Sequence, residues 1–147
     1  LGFKKCSATM FHPYSVMMTS RATIGVVAIN TKTACTNQGF ITILPTEQLS
    51  IFQIYFWIIN NKELITQIAS GATFKEISKS EFKNMLIIEP SKEISILFTT
   101  LIAPLVKQIE ILLIKNKNLT ESRNILTDQL IAGKIDVSKI NISRIEK

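Results

Sequence analysis

Leucine recurs at every seventh residue over four positions, Leu105, Leu112, Leu119 and Leu126. A second row, Ile102, Ile109, Asn116, Arg123 and Leu130, interleaves with it, and Phe98 continues the leucine row upstream. Read as a heptad, the leucines take d and the second row takes a. A helix with such a seam needs a partner helix to cover it. Packing inside one domain accounts for leucines, but not for a strict seven-residue repeat held over four positions. Asn116 and Arg123 at a weaken the seam and are the positions that fix register or orientation. Parallel pairing would stack Asn116 on Asn116; antiparallel pairing would not.

The apolar face is wider than a two-stranded seam. Val106 and Leu113 fall at e, Ile111 at c and Ile114 at f, so 109–114 is apolar almost all round except Glu110. One partner helix cannot cover that surface, which predicts a further contact. Pro104 lies inside the pattern and either kinks the helix or marks its first turn. The most apolar stretch, 94–114, carries Pro104, Lys107, Gln108 and Glu110, which argues against a membrane span.

At 147 residues and 46% apolar content, one folded domain with an appendage is expected. The formal charge is +6, and most of the excess lies before residue 93, where nine basic groups face five acidic ones. That balance permits contact with nucleic acid or an acidic surface and requires neither. Cys6 and Cys35 form no CxxC pair and have no histidine cluster nearby, so they read as reduced structural thiols of a cytoplasmic protein. No signal peptide is visible, and the chain starts at Leu1, which is read as a fragment's start.

Three β runs come first, Val16–Thr19, Ile24–Ile29 and Gly39–Leu44, with Pro45 closing the last. Thr46 is the expected N-cap of a helical run from Leu49 to about Asn60, in which Phe52, Tyr55, Phe56 and Ile59 recur at helical spacing and Trp57 adds bulk. These aromatics are expected in the core. A second helical piece runs from about Lys62 to Ala69 and stops at Gly71. Ser78 and Glu81 fit a capping box opening a short turn that ends near Asn84. Met85–Glu89 reads as a short strand closed by Pro90. Ser91 caps the long helix, with Glu93 in its first turn, and Gly133 ends it. The expected plan is an α+β (α/β) head over 1–90, a coiled-coil-forming helix over 91–133, and a short C-terminal tail over 134–147. In the tail Ile135, Val137, Ile140 and Ile142 alternate with polar residues.

Catalytic chemistry finds little to work with. His12 is the single histidine, and the two aspartates, Asp128 and Asp136, lie at or beyond the far end of the long helix. The five glycines form neither GxxxxGK nor GxGxxG, so the backbone cradles for a nucleotide phosphate or a dinucleotide are not present. A Ser–His–Asp set would need His12 with a remote aspartate. The head's five glutamates show no metal-site spacing. The expectation is a non-catalytic chain with no cofactor and no metal. A zipper-type transcription factor fails too, because only Lys92 is basic across 91–101.

Three segments carry a resemblance. They are Ser20-Arg21-Ala22-Thr23-Ile24-Gly25 with 26–29; Asn37-Gln38-Gly39-Phe40; and Gly71-Ala72-Thr73-Phe74-Lys75-Glu76-Ile77-Ser78, continuing to Pro90. Their order, together with a long helix ending in Leu130-Ile131-Ala132-Gly133-Lys134-Ile135, resembles the specificity subunit of type I DNA restriction–modification systems over essentially the whole chain. The resemblance implies a target recognition domain in the head and a conserved spacer helix that pairs antiparallel with another. It implies double-stranded DNA as ligand, and modification (methyltransferase) and restriction subunits as partners that supply the chemistry. A complete subunit has two such units in tandem; this chain has at most one. Asp128 stands where the family's proline falls in the pattern near the helix end, and Thr127 stands for a leucine.

Motifs shared by domains that read different sequences cannot be the base readers, so they build the frame or touch phosphates. Arg21 is either a phosphate clamp or half of a framework salt bridge. Lys75 and Lys79 flank the 73–78 loop, and Lys4 and Lys5 lie beside Phe3. These five are the candidate DNA contacts. Asn37 and Gln38 are read as turn residues. The candidate helix interface comprises Ile102, Leu105, Ile109, Leu112, Asn116, Leu119, Arg123, Leu126 and Leu130, facing a second copy or a second half-unit. From Phe98 to Leu130 is 33 residues, a rod of about 50 Å, or roughly 15 base pairs of duplex. The alternative is a dimeric scaffold without DNA contact.

Overall fold

The computed structural model describes residues 8–71 and 75–138. Within them, three strands precede four helices: β1 Val16–Thr19, β2 Val27–Ile29, β3 Phe40–Ile43, α1 Ile51–Asn60, α2 Lys62–Ile68, α3 Lys79–Lys83 and α4 Lys92–Ile131. The chain divides into two units, Leu1–Ile102 and Ala103–Lys147.

The sheet has the order β2-β1-β3, both pairings antiparallel. Period-2 alternation on β1 sends Val16 and Met18 to one face, and both are fully buried. Met18 sits opposite Val27 on one side and Ile41 on the other. Asn30 ties the ends of β1 and β2 together. Its Oδ1 accepts from the Ser15 amide at 2.7 Å, and its Nδ2 donates to the carbonyls of His12 and Lys32 at 2.8 and 2.7 Å. A buried amide satisfied this way costs little and fixes the turn.

The expected strand over Ile24–Ile29 is shortened to Val27–Ile29 because a tight loop takes up its start. The Gly25 amide donates to the Thr19 carbonyl at 3.0 Å, and the Thr19 amide donates to the Val26 carbonyl at 2.9 Å. Thr19 Oγ1 also donates to the Thr23 carbonyl. Gly25 has φ +81°, and a Cβ there would meet Lys62 Cγ at 2.9 Å. Both the backbone angle and the space therefore select glycine.

α1 starts at Ser50, not Thr46. Ser50 and Gln53 form a reciprocal capping box, while the Thr46 hydroxyl accepts from the Leu49 amide one turn earlier. Thr46 thus shapes the approach, and the nearer side chain caps the helix. The buried face of α1 is Ile51, Phe52, Ile54 and Ile58, at i, i+1, i+3 and i+7. Of the expected aromatic core only Phe52 is buried. Phe56 and Ile59 are exposed, because the isoleucine stripe of α1 faces β1 and β2 and turns them away. Phe56 instead meets Phe98 edge to face at 6.1 Å, and Trp57 meets Phe82 at 6.0 Å. α2 adds the fully buried Ile65.

The capping box at Ser78 and Glu81 forms as expected and opens α3, with Asn84 as its C-cap. Hydrogen bonds from the Ser78 side chain and amide hold the Glu81 carboxyl below the usual carboxylate range. The expected strand Met85–Glu89 is not one. The segment has no strand partner among the described residues, and Leu86 and Ile88 point into solvent.

α4 follows Ser91, whose hydroxyl accepts from the Ile94 amide at 3.5 Å. Glu93 lies in its first turn, and hydrogen bonds from its own amide and from Ser91 lower its pKa. Pro104 is an interior residue of an unbroken helix, so it does not mark the first turn. Lacking an N–H, it leaves the Thr100 carbonyl without its helical bond. Gly133 (φ +64°) closes the helix. Its amide donates to the Leu130 carbonyl and that of Lys134 to the Gln129 carbonyl, a Schellman pair.

Candidate nucleic-acid and helix interfaces

The Ser20–Gly25 loop meets Ser70 and the 75–78 stretch in space. The amides and carbonyls of Ser70 and Glu76 bond reciprocally at 3.0 and 2.8 Å, and the Ile77 amide donates to the Ser20 carbonyl at 3.0 Å. This ladder aligns Arg21 with Glu76, and Arg21 Nε lies 2.7 Å from Glu76 Oε1. Both side chains are a little under half exposed, so the bond is partly screened by water. Arg21 therefore forms a framework ion pair on a surface that solvent still reaches. Lys75 adjoins Glu76 in sequence, and Lys79 opens α3; both are exposed. Lys4 and Lys5 lie outside the described residues.

Lys62 is a cation that the sequence pattern did not single out. Its alkyl stem lies across Gly25, in the same loop that carries Arg21. It forms no ion pair among the described residues. The only hint available in the sequence was Gly25, a residue whose necessity shows once a neighbour crosses it. Asn37 behaves as a turn residue, its Oδ1 accepting from the Gly39 amide at 2.9 Å.

Ser95 is a second residue the sequence concealed. It is the one buried residue of α4. Its hydroxyl donates to Gln53 Oε1 at 3.0 Å and meets the Gln48 carbonyl at 3.3 Å. The same Gln53 oxygen accepts from the Ser50 amide at 2.7 Å. The cap of α1 and the first turns of α4 are thereby one hydrogen-bonded unit.

The heptad positions beyond Ala103 are exposed without exception. Leu105, Ile109, Leu112, Leu119, Leu126 and Leu130 show between 45% and 67% of their surface. The off-seam Ile111, Leu113 and Ile114 are exposed as well, and Ile102 is half-buried. Asn116 and Arg123 are exposed, and Arg123 donates to Asn124 Oδ1 through Nε and Nη2 at 3.2 and 2.9 Å. By length and composition alone α4 could cross a membrane. Its Lys107–Glu110 pair, at 3.1 Å, falls inside that apolar stretch.

Among the described residues no group of three or more His, Cys, Asp or Glu side chains converges. His12 is exposed, with only its carbonyl engaged, and Cys35 is an exposed free thiol, not a buried structural one. An open cleft of about 250 Å³ beside the start of α1 holds Glu47 as its single ionisable group.

The chain is similar to known proteins in sequence and in fold. A family model described as type I restriction modification DNA specificity domain matches residues 1–121. The MjaIX specificity subunit of a type I restriction enzyme from Methanocaldococcus jannaschii is 36% identical over 93 residues, 61% of this chain and 21% of its own length. The HindI specificity subunit of Haemophilus influenzae is 31% identical over 124 residues, 82% of this chain and 27% of its own. The crystal structure of a type I restriction–modification S subunit from M. genitalium shares the fold, with TM-score 0.62 and 18% identity. That likeness covers 90% of this chain and 35% of the other. The chain belongs to the type I restriction modification DNA specificity domain family, and it spans about a quarter of the curated relatives it matches.

Proposed function

We propose that the chain is the DNA sequence recognition component of a type I restriction–modification complex, acting in the cytoplasm and without catalysis of its own. The family match over residues 1–121 carries this reading. The head, 1–90, would meet duplex DNA through Arg21, Lys75 and Lys79, with Lys4 and Lys5 outside the described residues. Lys62 of α2 joins this group, its stem lying across Gly25 in the loop that carries Arg21. Such cations position the backbone, leaving base readout to other side chains. The helix, 91–133, pairs through its heptad face with a second copy or a second half-unit. Its off-seam isoleucines give the modification subunits a place to dock, and these with the restriction subunit perform methylation and cleavage. Residues 134–147 are read as a short C-terminal tail.

A scaffold reading without DNA contact draws support from one observation: Arg21 is already engaged by Glu76. Fluorescence anisotropy against duplex DNA at increasing salt, with and without modification subunits, separates the two. Recognition predicts binding that weakens steeply with salt. Failure to bind any duplex, even with modification subunits present, leaves the scaffold.

A further inference from the structure

Leu86 and Ile88 are 93% and 90% exposed, more than any other large apolar side chain described. They stand at i and i+2, on one face of the segment that the sequence marks as a strand. The amides and carbonyls of Leu86, Ile87, Ile88 and Glu89 form no hydrogen bond among the described residues. An apolar pair on an unpaired backbone is an edge prepared for another strand. The segment runs directly into α4, and at the other end of α4 begins the tail.

The tail supplies a matching sequence. Residues 139–147, outside the described set, read Lys-Ile-Asn-Ile-Ser-Arg-Ile-Glu-Lys. Ile140 and Ile142 alternate as Leu86 and Ile88 do. Lys139, Arg144 and Lys147 are cationic, whereas the receiving segment and the first turn of α4 carry Glu89 and Glu93. Apolar period and charge are both complementary.

The orientation of two α4 helices decides which tail meets which segment. In parallel register, Arg123 would face Arg123 at a, two like charges in one seam. Antiparallel pairing separates them. It also brings the residues after Ile131 of one copy beside the residues before Lys92 of the other.

We propose that the tail of a second copy, residues 139–147, docks on the Leu86–Ile88 edge, so that each half-unit clasps its partner's head. The clasp rests on the helix pairing proposed above and adds to it an attachment outside the seam. It makes the antiparallel sense the one that buries both ends.

Full-length chains with Cys6 and Cys35 changed to Ser provide the test. One tagged version carries Ile88→Cys and a differently tagged version carries Ile140→Cys, and the two are mixed and oxidised. A disulfide joining both tags is expected. A third pair with cysteines on the α4 seam reports helix pairing separately. Seam crosslinks without the 88–140 crosslink overturn the clasp and leave the pairing intact. No seam crosslink and a monomer at all concentrations overturn both. A chain bearing both cysteines that closes on itself as a monomer also overturns the clasp between copies. Independently, Ile88→Lys on this solvent-exposed side chain is expected to leave the melting curve of dilute protein unchanged and to weaken self-association about tenfold. Unchanged self-association would contradict the proposal.

Discussion

The unit Leu1–Ile102 and the unit Ala103–Lys147 use the same apolar residue types to opposite ends. In the first, Val16, Met18, Ile58, Ile65 and Ile77 are almost wholly removed from water. In the second, no described residue is buried, although leucine and isoleucine fill every heptad position but Asn116 and Arg123. Hydrophobicity alone therefore does not say where a side chain goes. The head's isoleucines find strands and helices of their own chain, whereas the seam leucines stay exposed, the face proposed above for a second helix. Composition indicates that a core exists; the seven-residue repeat marks the residues proposed to pair with another helix.

The contrast breaks most readily at matched truncations. Ile58→Ala in the head should cost about 2–5 kcal/mol in denaturant unfolding, since it opens a cavity. Leu112→Ala should change the stability of dilute protein by less than ~0.5 kcal/mol, yet lower self-association. Equal losses at the two sites would erase the distinction.

Ser95→Ala comes next. It removes the hydroxyl that joins α4 to the Gln53 capping box, and a loss of about 1 kcal/mol is expected. Ser95→Thr, which keeps the donor, should retain much of it. A smaller effect attends Arg21→Ala, whose half-exposed pair with Glu76 contributes at most about 1 kcal/mol. Its readout is DNA binding, where losing a phosphate contact lowers affinity for all sequences alike and reduces the salt slope by about one. A slope that does not move assigns Arg21 to the framework alone.

The smallest effect concerns Glu81. Its carboxyl titrates lower in the folded chain than its ordinary value of 4.5. The capping box is therefore fully in force above that value and is lost as pH falls through the folded pKa. Glu81→Gln keeps the hydrogen-bonding shape, as Gln53 shows in α1, and should flatten the acid limb of a thermal melt series. An unchanged limb would mean that other carboxylates govern it.

The regular elements were largely legible. The apolar run Val16–Thr19 placed β1 to the residue, the Ser78–Glu81 spacing placed α3, and Gly133 marked the end of α4. What misled the reading was local competition. Thr46 and Ser50 are both good caps, and only the Gln53 side chain decides between them. The aromatic stripe of α1 outweighs the isoleucine stripe by eye, yet Ile51, Ile54 and Ile58 are the ones aligned with the sheet. Met85–Glu89 has a strand's composition but no strand partner among the described residues, and pairing is not a property of one segment. Of the candidate cations, Arg21 met Glu76, the neighbour of Lys75, through the Ser70–Glu76 ladder, which no spacing announces. Lys62 and Ser95 stayed hidden because a lysine near a glycine and a serine in an apolar helix look ordinary until packing joins them.

Sedimentation equilibrium of the full chain tests the pairing of α4 most directly, alone and with Leu112→Glu and Leu119→Glu together. A concentration-dependent species of twice the chain mass is expected, which the double substitution weakens about a hundredfold or more without unfolding the head. A monomer at every concentration, or a dimer indifferent to those two charges, would contradict it.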